Sequence, residues 1–113
     1  MKKDDNLTGK LRHKITIKHL QSVDDGAGGS VETWMTYASP FASVEPLSGR
    51  ELFQAQQLQS EVTHKIRMRY RPGITPDMRV YFGTRVFLIN SAINWQERNR
   101  ELTLMCVEVQ NPD

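Results

Sequence analysis

Apolar residues return at every second position through most of this chain, the period of strands half-buried on a sheet rather than of helices. In "LRHKITIKHL" (11–20), Leu11, Ile15 and Ile17 share one face, with Arg12, Lys14 and Lys18 opposite. In "EVTHKIRMRYR" (61–71), Val62, Ile66, Met68 and Tyr70 alternate with a cationic row, Lys65, Arg67, Arg69 and Arg71. "VETWMTY" (31–37) and "FASVEPL" (41–47) are two further β-rich runs, the second opened by Pro40 and closed near Pro46. Between the first two runs, "DDGAGGS" (24–30) predicts a flexible loop built from Asp24, Asp25, Gly26, Gly28 and Gly29. Residues 11–37 therefore read as one long hairpin with a mobile tip.

"MRVYF" and "RVFLI" flank Gly83-Thr84, a two-residue loop with glycine first, which predicts a type II′ hairpin. "RVFLIN" is apolar on both faces (Val86 and Leu88, Phe87 and Ile89) and predicts a central strand. "SAINWQERNR" (91–100) reads as a polar connection, and "ELTLMCVEV" (101–109) as the closing strand.

One segment changes period. In "LSGRELFQAQQLQ" (47–59), Ser48 and Glu51 have the spacing of a capping box, and Leu47 and Leu52 that of a hydrophobic staple. A short helix is predicted there, with Leu52, Ala55 and Leu58 as its buried stripe. Its glutamines, Gln54, Gln56, Gln57 and Gln59, form either a solvated face or an uncharged hydrogen-bonding surface for a partner subunit. About seven short strands, one short helix and no crossover helices predict a mainly β protein, a small antiparallel β-barrel or sandwich. The length, 113 residues, suits one domain over residues 10–110 behind a flexible N-terminal tail, residues 1–9.

Composition narrows the function by exclusion. A net charge of +2 makes no case for a polyelectrolyte partner, so any such case rests on where the charge sits. Cys106 is the single cysteine and lies in an apolar strand, so neither an internal disulfide nor a cysteine zinc site is available. The N-terminal lysines precede no apolar run and no stretch approaches 18 apolar residues, which predicts a soluble protein made in a reducing cytoplasm, away from membranes.

His13, His19 and His64 fall on predicted strands without an accompanying carboxylate motif, and read as core-edge histidines rather than metal ligands. No nucleophile elbow, H-E-x-x-H or paired-acid motif occurs. "DGAGG" is followed by strand, so no helix dipole is there for a phosphate. Neither enzymatic activity nor a cofactor is expected. The basic row keeps an edge strand soluble, pairs with acids such as Glu45, Glu97, Glu101 or Glu108, or faces a polyanion.

Several blocks together resemble a known family. These are "LRHKITI", "DGAGGSVETW", "FASVEPLSGRELFQAQQLQSEVTHKIRMRYRPGITPDMRV" and "FLINSAINWQERNRELTLMCVE". Within them Gly49-Arg50-Glu51, Thr63-His64-Lys65 and Arg69-Tyr70 are the most specific. In order and spacing they resemble the phage head–tail joining family, the small head-closure (stopper) proteins of tailed bacteriophages and prophages.

That resemblance implies a virion connector, assembled in the host cytoplasm as a ring of copies that follows the portal's twelvefold axis. The ring would sit under the portal and adaptor proteins, retain the packaged double-stranded DNA, and dock a tail-completion or tail-terminator protein. It also implies loops that close the channel: either residues 48–61, with Ser48, Gly49, Arg50, Glu51 and the glutamines, or the 21–30 loop. Lys65, Arg67, Arg69 and Arg71 would then line the channel or meet the next subunit. The low apolar content further predicts a monomer until a portal–adaptor template gathers the copies. Two rival readings are an adaptor or tail-completion protein of the same axis, and an OB-like nucleic-acid-binding barrel. Tyr70, Tyr81 and Phe87, in core-compatible registers, count against the latter.

Overall fold

The computed structural model describes residues 11–58 and 61–110. The predicted tail, residues 1–9, and Gln59 lie outside the described residues. Eight strands form one antiparallel sheet: β1 His13–Lys14, β2 Thr16–Asp24, β3 Ser30–Ala38, β4 Phe41–Pro46, β5 His64–Arg69, β6 Arg79–Phe82, β7 Arg85–Asn94 and β8 Glu101–Glu108. Among the described residues there is one α-helix, α1, spanning Gly49–Gln57, and a single 3-10 turn at Trp95–Glu97. The sheet order is β1-β4-β5-β8-β7-β6-β2-β3.

The first strand of that order and the last but one are joined through one residue. β1 pairs β4, β2 pairs β6 over Thr16–Lys18, and only Ile15 separates β1 from β2. Lys14 and Thr16 are therefore at most about 7 Å apart, and the sheet must curl back to its own start. The Ile15 amide donates to the Pro40 carbonyl at 3.0 Å, which carries the pairing across the bend. The alternating first strand is thus a bent one, divided between the β4 side and the β6 side of a small barrel.

Beyond Lys18 the hairpin leaves the barrel. β2 and β3 continue to pair from Lys18↔Thr36 to Asp24↔Ser30, with a bulge after Ile17, as a two-stranded ribbon. Six residues of strand, 19–24, reach about 20 Å. The Cα radius of gyration, 15.7 Å, accordingly exceeds the value of about 13 Å for a compact chain of this length. The ribbon and the helix mark opposite ends of the barrel. β4 and β5 meet at Pro46↔His64 beside α1 and at Ala42↔Met68 beside the ribbon. At the ribbon end Tyr37 Oη donates to the Pro72 carbonyl at 2.9 Å.

The core lies inside the barrel: Ile15, Ile17, Ala42, Ile66, Val80, Phe87, Leu104 and Cys106 are fully enclosed. Burial pushes the Cys106 thiol up to about 12, so it is no nucleophile at neutral pH. β7 is central as predicted, between β6 and β8, although Leu88 faces solvent while Val86, Phe87 and Ile89 are buried. The Gly83-Thr84 loop connects Phe82↔Arg85, with φ +64° at Gly83.

Three expectations are corrected. Ser48 is the N-cap of α1 but makes no side-chain cap bond, and Glu51, the other half of the capping box, turns to the Lys65 ammonium at 2.8 Å. A full counter-charge is a stronger partner for a carboxylate than a neutral amide. The stripe Leu52, Ala55 and Leu58 is not buried: α1 buries no residue, and Leu58 is 81% exposed. The strands already fill the barrel, so α1 lies outside it. Finally, Ser91–Asn94 is strand rather than connection, paired from Ser91↔Met105 to Asn94↔Leu102. Its apolar partner β8 overrides a polar composition.

Gly73 follows Pro72 at φ +90°, and a Cβ there would collide with Tyr37 Oη. The Gly73→Ala variant is expected to melt roughly 5–10 °C lower, from left-handed strain plus the collision, in thermal unfolding followed by circular dichroism.

Candidate functional site

The cationic row of β5 occupies the outer face, because Ile66 and Met68 take the inner one. Its charges are met by acids on both neighbouring strands and on the helix. Arg67 Nε donates to Glu101 of β8 at 2.6 Å, and its Nη1 lies 3.9 Å from Glu45 of β4. Lys65 Nζ lies 2.8 Å from Glu51 of α1 and 4.0 Å from Glu45. Ser43, buried on β4, donates to Glu45 at 2.8 Å. Arg69 stands across from Glu101 and is exposed, as is Arg71 beyond the strand end. The row is therefore graded, from the Arg67–Glu101 pair that braces the barrel, through a surface pair at Lys65, to exposed arginines at the ribbon end.

Of the acids named from the sequence, Glu45 and Glu101 meet this row and Glu108 does not. Glu108 binds Arg85 through both oxygens, at 2.9 and 3.1 Å, and lies 3.8 Å from His64. That pairing holds the Glu108 carboxyl below its usual range. His64 packs edge-on against Phe87 at 5.1 Å, and burial lowers its pKa more than Glu108 raises it. The neutral ring bonds Thr63 Oγ1 at 2.9 Å through Nδ1 and Arg85 at 3.3 Å through Nε2. His13 lies tilted against Phe82 at 4.9 Å and His19 edge-on to Tyr37 at 5.9 Å, so the three histidines sit against three different rings.

The other candidate segments are exposed and lie at opposite ends. On α1, Arg50, Gln54, Gln56 and Gln57 face solvent together with Phe53, which is 59% exposed. Gly49 opens the helix at φ +54°, and the Lys65–Glu51 pair ties its first turn to β5. At the ribbon tip the aspartates organise the loop. Asp24 accepts from the Gly26 amide at 2.9 Å, and Asp25 from the Ala27 and Gly29 amides at 2.8 and 3.1 Å. Those amides hold the Asp25 carboxyl below its usual range.

One grouping had no signal in the sequence. The Tyr70 amide donates to the Arg100 carbonyl at 2.9 Å, which sets the 98–100 turn beside Arg69 and Arg71. Asn94 pins that turn through the Asn99 amide at 3.0 Å and the Asn99 side chain at 2.7 Å. Four arginines, 69, 71, 98 and 100, thus share the ribbon end of the barrel. Only the pairing of β5 with β8, distant in sequence, creates this group.

If the Arg67–Glu101 pair braces the barrel, Glu101→Gln should cost about 2 kcal/mol, since Glu101 is nearly buried and its loss leaves a guanidinium short of its partner. The exposed Lys65–Glu51 pair is worth little, so Glu51→Gln should cost about 0.5 kcal/mol or less. Urea unfolding of both variants checks the difference.

Comparison with known proteins matches this arrangement. The solution structure of protein SF1141 from Shigella flexneri 2a superposes with TM-score 0.73 at 29% identity, over 92% of this chain and 97% of that one. A chain in the virion of a native gene transfer agent particle has the same fold, with TM-score 0.57 at 22% identity, over 88% and 96%. The head completion protein gp16 of Bacillus phage SPP1 is 32% identical over 68 residues, a match covering 60% of this chain and 62% of that protein. The sequence pattern of phage head completion proteins fits residues 7–109, all but the extreme ends, and by that match the chain belongs to the phage head completion protein family.

Proposed function

We propose that this chain is a structural, non-catalytic component of the phage head–tail connector, with residues 10–110 acting as one head–tail joining domain. Copies assemble as a ring beneath the portal and its adaptor, close the head after DNA packaging, and give the tail its attachment surface. The family match over residues 7–109 carries this reading. The relatives' names support it: one is a head completion protein and another a chain of a virion particle.

The geometry supports it as well. A barrel braced by Arg67–Glu101 carries uncommitted elements at both ends, which suits a part that joins two neighbours along an axis. Of the two candidate channel-closing segments, residues 48–61 are the better fit. α1 buries nothing of its own, exposes Phe53 and Leu58, and is tied to the barrel by the Lys65–Glu51 pair. Its glutamines offer hydrogen bonds to neighbouring copies without repelling or trapping DNA. The ribbon loop carries Asp24 and Asp25, and an acidic tip in a DNA channel would face like charge.

Disrupting the gene in a producing phage and imaging the lysate by negative-stain electron microscopy tests the reading. The expected particles are tailless heads that have lost their DNA, beside free complete tails. Filled, tailed particles would overturn it. Stable filled heads beside aberrant tails would also overturn head closure, and move the chain to tail completion.

A further inference from the structure

The ribbon is the part of the fold least explained by its own chain. Val23 and Val31 pair across it near the tip, and both are exposed, as are Leu20 and Met35. Among the described residues β2 meets β6 only as far as Lys18 and β3 pairs only β2, so no described strand covers either ribbon edge beyond that point. A two-stranded ribbon of this length is marginal in water on its own, and open edges invite pairing.

Its charge is equally one-sided. No lysine or arginine occurs between Lys18 and Arg50, and residues 19–37 carry Asp24, Asp25 and Glu32. The ribbon is therefore at −3 within a chain of net charge +2, which leaves +5 on the rest. The matching positive charge is that of Arg71 and Arg98, both exposed at the ribbon end of the barrel. A chain's own ribbon tip projects about 20 Å away from that end, beyond its reach.

We infer that the β2–β3 ribbon of one copy docks on the arginine-bearing end of the next copy. This deepens the ring reading above and rests on it. The contact joins two different surfaces, so it is heterologous, and repetition about an axis closes a ring rather than stopping at a dimer. Apolar residues of the ribbon supply area, and the aspartates and Glu32 set register against the arginines. A contact led by rim charges is weak singly, which fits copies that join on a template.

Complementing the disrupted phage with charge variants tests the inference. Asp24→Lys with Glu32→Lys reverses the ribbon, and Arg71→Glu with Arg98→Glu reverses the receiving end. Each set alone should lower the yield of filled, tailed particles at least about tenfold, the factor that 1.4 kcal/mol represents, and the two sets combined should restore it. Wild-type yield from either set alone would overturn the docking while leaving the connector reading intact. So would failure of the combined variant to restore yield, which would place the ribbon on a different virion protein. Filled, tailed particles without any copy of the gene would overturn the connector reading itself. Independently of folding in those variants, Glu32→Cys with Arg98→Cys in one chain should give, after oxidation of filled particles, a ladder of cross-linked oligomers. Monomer alone, or a ladder ending at dimer, would contradict the docking.

Discussion

Ile15 carries a single strand from the β4 side of the sheet to the β6 side, and most of the molecule's organisation follows from that passage. Because β1 and β2 are contiguous, the sheet has to curl, and the curl creates the closed interior that Ile66, Phe87 and Leu104 fill. The bulge after Ile17 then lets the remainder of β2 leave the barrel beyond Lys18. The chain thus makes a barrel and a projecting arm from one hairpin, with the Pro40 carbonyl accepting from the Ile15 amide at the bend. The Pro72-Gly73 turn, bonded to Tyr37, then fixes the arm's base.

Electrostatics divides the outer surface into a part spent on folding and a part left for partners. Lys65 and Arg67 are answered within the chain by Glu45, Glu51 and Glu101, so half of the cationic row braces β4, β5, β8 and α1 against one another. Arg85 and Glu108 do the same at the helix end. The acids of the ribbon and the exposed Arg71 and Arg98 at the ribbon end lie outside these pairs. On the proposed connector reading, that segregation gives each copy complementary surfaces for its neighbours and keeps the net charge of a free copy low.

Strand content was legible in the residues because alternation is local: Ile15 and Ile17, or Ile66 and Met68, declare their face within a few positions. The Gly83-Thr84 turn was legible for the same reason. What the residues of one segment do not contain is their partner. Ser48 and Glu51 spell a capping box, but Lys65, 14 positions on, captures the glutamate. Leu52 and Leu58 have the spacing of a buried stripe, yet a barrel already filled by strands leaves them outside. Ser91–Asn94 looks polar, but β8 supplies a ladder for it. The arginine group was hidden for the same reason, since Arg98 and Arg100 reach Arg69 and Arg71 only through nonlocal pairing. The family resemblance was carried by the order of blocks over nearly the whole chain, which is why it survived these local misreadings.

The central claim is that this barrel works as a repeated unit at the head–tail junction, and a cryo-electron-microscopy reconstruction of the neck of mature virions tests it most directly. Copies of the barrel are expected in one closed ring between the adaptor and the tail, with α1 toward the lumen and each ribbon on the neighbouring copy. Barrels located in the tail tube, or a ring whose α1 segments point outward with the lumen open, would contradict it.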